Sequence, residues 1–299
     1  SNLYKIEEQE QLASKLTNLS FASKVFFCNS GAEAVECSIK AARRYQFLKG
    51  KREKKNIITF TGSFHGRTLG TIAASNNANH LEGFGLPLEG FINIERDNID
   101  KLLGALDENT AAILIEPIQG EGGINVFDTD FLKKVETIAR KKDILLILDE
   151  VQSGMGRTGK LFAHELFNIK PDIMSLAKGL GGGFPVGACL MKDSVANAMN
   201  PGTHGSTFGG NPLAMAVGNC VTDIVSDPIF LADVEKKANL FHKNLTEIAS
   251  EYPSVISKIK GLGLMIGIKC KIENSILSNE LYDNGILTVN AGDNVIRIL

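Results

Sequence analysis

The sequence predicts an α/β fold: a large domain with a mainly parallel sheet flanked by helices, then a smaller C-terminal α/β domain. Three observations predict it. Short runs rich in β-branched and aliphatic residues recur before Asp227. Helical stretches lie between most of these runs, and strands that alternate with helices assemble into a parallel sheet. Beyond Asp227 the pattern changes to one long amphipathic stretch and short apolar segments, which places the large domain at 1–227 and the small one at 228–299.

The predicted strands are Lys24 to Cys28, Asn56 to Thr61, Ala111 to Ile115, Ile144 to Leu148, Ile173 to Ala177 and Val186 to Met191. Glu33 to Leu48 and Phe131 to Lys142 read as helices between them, and Ile229 to Glu251 as a long amphipathic helix after them. Short strands are expected near Gly263 to Lys269, Ile286 to Val289 and Val295 to Leu299. In a parallel α/β sheet, ligands sit outside the carboxyl ends of the strands. The residues that follow each strand therefore carry the functional argument.

Composition excludes several classes. The 299 residues include 32 Lys and Arg against 34 Asp and Glu, a formal charge of −2, so no bulk attraction points to nucleic acid or an acidic membrane. With 43% hydrophobic and 22% charged residues, the chain reads as globular rather than disordered. The five cysteines are odd in number and scattered, with no CxxC and no Cys/His spacing. That argues against a disulfide scaffold or a zinc module; no metal and a reducing, cytoplasmic setting are expected. The longest stretch free of Asp, Glu, Lys and Arg, Ser194 to Thr222, is full of Gly, Pro, Asn and Thr and does not read as a membrane span. The chain opens at Ser1 without Met and stops inside an apolar run, so both ends read as cut.

The first strand runs into Asn29-Ser30-Gly31-Ala32-Glu33. Ser30 and Glu33 suit a capping box, and the free N–H groups of a helix start suit a phosphate; alone, the motif supports either. After the second strand, Ser63-Phe64-His65-Gly66-Arg67-Thr68 offers groups for ring stacking or anion binding, though a polar loop with Thr68 as a cap explains it as well. The third strand ends in Glu116-Pro117-Ile118-Gln119-Gly120-Glu121-Gly122-Gly123, two acids that alone would read as solvated loop charge. Unbroken aliphatics from Ile144 to Leu148 mark a central strand buried on both faces. Asp149 at its end would lie on the floor of a cleft, where a desolvated carboxylate needs a cationic partner. Lys178 precedes Gly179-Leu180-Gly181-Gly182-Gly183. Burial there would make its amine nucleophilic, against the commoner fate of a surface lysine. Ser206-Thr207-Phe208-Gly209-Gly210-Asn211-Pro212 is either a second phosphate contact or an N-cap with proline in the first turn.

A phosphate cradle, a ring stacker, a buried acid and a cleft lysine are the parts needed to hold pyridoxal phosphate. On these residues the chain resembles a class III (fold type I) pyridoxal-phosphate aminotransferase over nearly its whole length, in the family's motif order. The resemblance implies a fold type I PLP-transferase that works as a homodimer. Ser30, Gly31 and Ala32 would bind the cofactor phosphate, and Phe64 would stack on the pyridine ring. Asp149 would pair with the ring nitrogen, and Glu150, Val151 and Gln152 would complete the cofactor contacts. Lys178 would bond to the cofactor and share the catalysis with Asp149. Arg67 and Arg297 would hold substrate carboxylates, with Glu121 able to neutralise Arg297. Ser206 and Thr207 would reach into the other subunit's site, Ser206 toward substrate and Thr207 toward phosphate.

The runs Gly202 to Pro212, Glu116 to Gly123 and Gly154 to Lys160 are similar to the branch that moves an amino group from N2-acetyl-L-ornithine to 2-oxoglutarate. That activity yields N-acetylglutamate 5-semialdehyde and glutamate in arginine biosynthesis. Ornithine, succinylornithine and 4-aminobutyrate aminotransferases share pieces of the pattern and stay as alternatives. A non-catalytic nucleotide-binding α/β protein is disfavoured, because no GxGxxG follows a strand and no GxxxxGK[ST] occurs. The family's segment before Ser1 and its stretch after Arg297 are absent from this sequence.

Overall fold

A run of residues buried on both faces is what a central parallel strand requires. The computed structural model, which describes residues 3–299, builds its large sheet from such runs. The strands in chain order are β1 (Lys24–Cys28), β2 (Asn56–Phe60), β3 (Phe91–Ile94), β4 (Thr110–Ile115), the short pair β5 (Ile118–Gln119) and β6 (Asn125–Val126), β7 (Leu145–Asp149), β8 (Ile173–Leu176) and β9 (Gly187–Met191). Seven of them form one sheet in the order β1-β9-β8-β7-β4-β2-β3, while β5 and β6 pair separately. Every residue of β4, β7, β8 and β9 is buried. β3 was not expected from the sequence; it adds an edge beside β2.

Alternation along the central strands feeds two apolar layers. Ile113, Ile115, Leu146 and Leu148 pack with Phe131, Leu132 and Val135 of the helix Thr129–Lys142. Ala112, Leu114, Leu145 and Ile147 pack on the other side with Val35, Ile39 and Ala42 of the helix Gly31–Leu48. The sheet is thus sandwiched, as predicted.

One strand departs from the parallel pattern. β9 runs antiparallel to both β8 and β1. Its start, not its end, therefore lies with the carboxyl ends of the other strands. Gly187 opens it with no room for a side chain, since a Cβ there would come 2.3 Å from the carbonyl oxygen of Ser30. Gly187→Ala is expected to destabilise the protein by about 1–3 kcal/mol by overpacking. A denaturant midpoint equal to that of the parent would refute this close approach.

After the helix Pro228–Glu251 comes a separate sheet of β10 (Ile256–Leu262), β11 (Met265–Cys270), β12 (Val289–Ala291) and β13 (Val295–Ile298). Its order is β10-β11-β13-β12, with every pairing antiparallel. β10 was not expected, and the strand expected at Ile286 to Val289 forms three residues later in part, at Val289–Ala291. Met265 and Val295 of this sheet pack into the large-sheet core beside Ile124. Among the described residues no single helix is long and apolar enough to cross a membrane.

Candidate active site

The carboxyl ends of β2, β4, β7 and β8 open on one cavity of about 460 Å³. The helix Gly31–Leu48 points its N-terminus into it. Ser30 caps that helix, its Oγ accepting from the Glu33 N–H at 3.3 Å. The expected return bond from Glu33 goes one residue further back, to the N–H of Asn29 at 2.7 Å. The N–H groups of Gly31 and Ala32 lie in the first turn, where no intrahelical acceptor exists. Together with the helix dipole they make an anion cradle. A Cβ at Gly31 would meet Val151 at 2.7 Å, so glycine lets the loop after β7 close over the cradle.

Asp149 is 4% exposed at the end of β7. It accepts from the Val151 N–H at 3.1 Å and faces Nδ1 of His65 at 2.8 Å. With Asp149 as the carboxylate, Nδ1 carries the hydrogen. Lys178 follows β8 with φ at +41°, a left-handed backbone that costs a non-glycine residue about 1–3 kcal/mol. Burial lowers the pKa of its amine below the ordinary lysine value, opposed by the negative charges of Asp149 and Glu121.

The loop after β2 supplies Phe64, with the Arg67 guanidinium 5.3 Å from its ring centroid. Thr68 caps the next helix, Leu69–Ser75, through a capping box with Thr71. Gln119 ties this loop to the one after β4, its Nε2 donating to the Thr61 carbonyl at 3.0 Å and to Ser63 Oγ at 3.1 Å. Arg297 on β13 is 8% exposed and bonds Glu121 Oε1 at 2.5 Å and Gln152 Oε1 at 3.3 Å. Its Nε has no partner among the described residues.

Most of the predicted residues therefore converge. Ser30, Gly31, Ala32, Phe64, Arg67, Glu121, Asp149, Val151, Gln152 and Lys178 line the one cavity, and Arg297 reaches two of them. Three do not join it. Glu150 turns away and accepts from the N–H groups of Ala163 at 2.5 Å and His164 at 2.8 Å, pinning the loop after β7. That corrects its expected cofactor contact: Asp149 and Glu150 follow one another, so when one faces the cavity the other does not. Ser206 and Thr207 line a second cleft with Phe26, Glu33 and His204. Asn29 borders both clefts and donates to Ser206 Oγ at 3.1 Å.

The sequence offered the His65 ring only as part of an anion or ring-stacking loop and Glu116 only as loop charge; both line the cavity. Sequence reasoning missed Phe184, Pro185 and Val186 because they precede their strand, and only the reversal of β9 brings them in.

Pyridoxal 5′-phosphate fits this donor set. Unpaired N–H groups at a helix start suit its phosphate, a flat aromatic suits its ring, a buried carboxylate suits a protonated ring nitrogen, and a lysine with a depressed pKa suits covalent attachment. Comparison with known proteins agrees. The family described as "Aminotransferase class-III" matches residues 1–299. An acetylornithine aminotransferase of Mesorhizobium japonicum is 55% identical over 299 residues, covering 100% of this chain and 75% of its own. The N-acetylornithine aminotransferase of Stenotrophomonas maltophilia superposes with a TM-score of 0.85 at 36% identity, over 99% of this chain and 74% of that one. The ornithine aminotransferase of Toxoplasma gondii gives 0.94 at 32% identity, over 99% and 72%. The chain belongs to the class-III aminotransferases, with pyridoxal 5′-phosphate as its cofactor.

Proposed function

We propose that this chain moves an amino group from N2-acetyl-L-ornithine to 2-oxoglutarate, giving N-acetylglutamate 5-semialdehyde and glutamate, as a cytoplasmic step of arginine biosynthesis. The observation that carries the reading is the Glu121–Arg297 pair beside the cavity that holds Lys178 and Asp149. The name of the Mesorhizobium relative supports the donor. All five cysteines are free thiols, in keeping with a reducing compartment.

Pyridoxal 5′-phosphate, when bound, supplies a carbonyl carbon that condenses with amines and a ring that draws electrons from the C–H bond of the carbon bearing the substrate's amino group, C5 in N2-acetylornithine and Cα in glutamate. The chain's residues do the rest. Gly31, Ala32 and Ser30 hold the phosphate. Asp149 keeps a proton on the ring nitrogen, and His65 orients that carboxylate. Lys178 would attach the cofactor through Nζ, and that amine, when free, would take and return the substrate's proton. Its lowered pKa leaves more of the amine free to act as a base near neutrality. Phe64 would stack on the ring, and Arg67 lines the same cavity, where it would hold a carboxylate.

One cavity must accept two unlike substrates in turn. With Glu121 paired, Arg297 offers little net charge to acetylornithine, whose amine-bearing carbon carries no carboxylate; with Glu121 withdrawn, it offers a cation to the carboxylate beside the keto group of 2-oxoglutarate. Glu121→Ala is expected to raise the KM for the donor several-fold while leaving that for 2-oxoglutarate unchanged or lower. Equal effects on both substrates would overturn the gate.

Ser206 and Thr207 fit a homodimer in which each subunit lends them to the partner's cavity, since in their own chain they face a separate cleft. We read the part after residue 227 as a small domain that carries Arg297 to the site. Ornithine as donor is the second reading, after the name of the Toxoplasma relative at 32% identity. A visible spectrum of the holoenzyme with N-acetylornithine and no keto acid tests the donor. A band that shifts to the amine form of the cofactor supports the proposal. A band that ignores acetylornithine but responds to ornithine or 4-aminobutyrate moves the substrate.

A further inference from the structure

Two carboxyl groups meet at the ends of adjacent central strands. β4 and β7 run parallel with Ile115 beside Leu148. Glu116 and Asp149 follow those two residues, so they are neighbours with Cα atoms about 4.8 Å apart and side chains on the same face. That face is the one covered by the helix whose N-terminus forms the cradle. Glu116 is 5% exposed and Asp149 4%.

Their partners differ. Asp149 has the Val151 N–H and the His65 ring. Glu116 Oε2 accepts from the Phe64 N–H at 2.8 Å, and Oε1 has only the Gly120 N–H at a long 3.4 Å. Among the described residues no cation lies within ion-pair distance of Glu116. The charged groups that face it are Asp149 at the end of β7 and Lys178 after β8, while Glu121 and Arg297 neutralise one another. Two adjacent buried carboxyls do not both ionise freely. Both carboxyls accept backbone N–H groups, but Asp149 also faces the His65 ring, so the proton belongs on Glu116. Burial, and after it the Asp149 charge, pushes the Glu116 carboxyl well above the ordinary range; the two N–H groups and Lys178 oppose this only in part.

We propose that Glu116 is a positioning residue of the reaction that works as a neutral acid: Oε2 fixes the backbone of the ring stacker Phe64, and the uncharged head leaves Asp149 as the single anion at the ring end of the cavity. The proposal rests on the reading that Asp149 faces the ring nitrogen. Its consequence concerns Lys178. A second anion beside the cavity would strengthen the hold of Nζ on its proton, and a neutral Glu116 avoids that while still anchoring Phe64.

The test compares Glu116→Gln, Glu116→Ala and the parent as holoenzymes. An infrared difference spectrum between parent and Glu116→Gln should show a carboxylic-acid C=O band in the parent alone. In a pH titration of the visible band, Glu116→Gln should keep the midpoint within about 0.3 unit, because a neutral side chain replaces a neutral one. Glu116→Ala, which leaves the Phe64 N–H without its acceptor, should hold the cofactor at least about ten-fold less tightly, with Glu116→Gln restoring most of the loss. A missing acid band, or a midpoint lowered by about one unit or more in Glu116→Gln, would show an ionised carboxylate and overturn the proposal. Parental cofactor affinity in Glu116→Ala would overturn the anchoring role. The infrared band reads Glu116 directly. If it is present while Asp149→Asn leaves the visible spectrum unmoved, the reading of Asp149 fails and the neutral Glu116 stands.

Discussion

The Lys178→Ala protein is expected to bind pyridoxal phosphate without a covalent bond and to turn over at least about 10⁴-fold more slowly than the parent. Lys178 is the only lysine that lines the cavity among the described residues. Removing it takes away the attaching amine and the proton carrier together. No neighbouring base can replace it: Asp149 is engaged by His65, and Glu121 by Arg297. The fold should survive. Alanine at φ +41° is strained about as lysine is, and Lys178 is an exposed residue at the cavity wall, so truncating it leaves no void in the core. Two measurements check this. Borohydride reduction followed by denaturation should leave cofactor mass on the parent but not on the variant. A small primary amine added to the variant should restore part of the proton transfer, since the empty space lies where Nζ worked. Cofactor that stays attached through denaturation of Lys178→Ala would refute the assignment.

Much of this site was legible because its parts lie at the ends of strong apolar runs. The run from Ile144 to Leu148 announces a strand buried on both faces, and a carboxylate at its end has few fates besides a partner in a cleft. The Ser30 cap and the Pro212 helix start are local chemistry, so one sequence suffices to place them. What stayed hidden depends on pairing. The reversal of β9 is a choice of neighbours, not of residues, and it alone moves Phe184 to Val186 into the cavity. The register that sets Glu116 beside Asp149 joins residues 33 positions apart, which no periodicity reports. Glu150 illustrates the opposite error. It belongs to a recognisable motif, yet period-2 alternation at the end of β7 sends it away from the cavity to the N–H groups of Ala163 and His164. The antiparallel small sheet was legible only as short strands, because β10 mixes exposed and half-buried positions and carries Ser257, Lys258 and Lys260.

Asp149→Ala is expected to slow the proton-transfer step by on the order of 10³-fold, equivalent to about 4 kcal/mol of transition-state stabilisation. The argument is electrostatic. A protonated ring nitrogen accepts charge from the breaking C–H bond beside the reacting amine, and an adjacent buried anion keeps that proton in place. Asp149 is positioned for this by a fully paired second oxygen. Oδ1 takes the Val151 N–H and Oδ2 faces His65, so the carboxylate cannot turn aside. Structure should change little, but the His65 ring loses its Asp149 partner, and among the described residues its Nε2 already lacks one. Leaving a buried ring nitrogen unsatisfied costs about 1–3 kcal/mol, so a lowered denaturant midpoint with an intact fold is expected alongside the kinetic loss. Asp149→Asn separates the two effects: its Oδ1 can still accept from the Val151 N–H, and its amide can donate to His65 Nδ1 once the ring carries its hydrogen on Nε2, while the charge is gone. The kinetic loss should persist in the asparagine variant and the stability loss should shrink. Turnover equal to the parent in either variant would refute the ring-nitrogen role, and a rate restored by asparagine would show that hydrogen-bond geometry, not charge, is what Asp149 contributes.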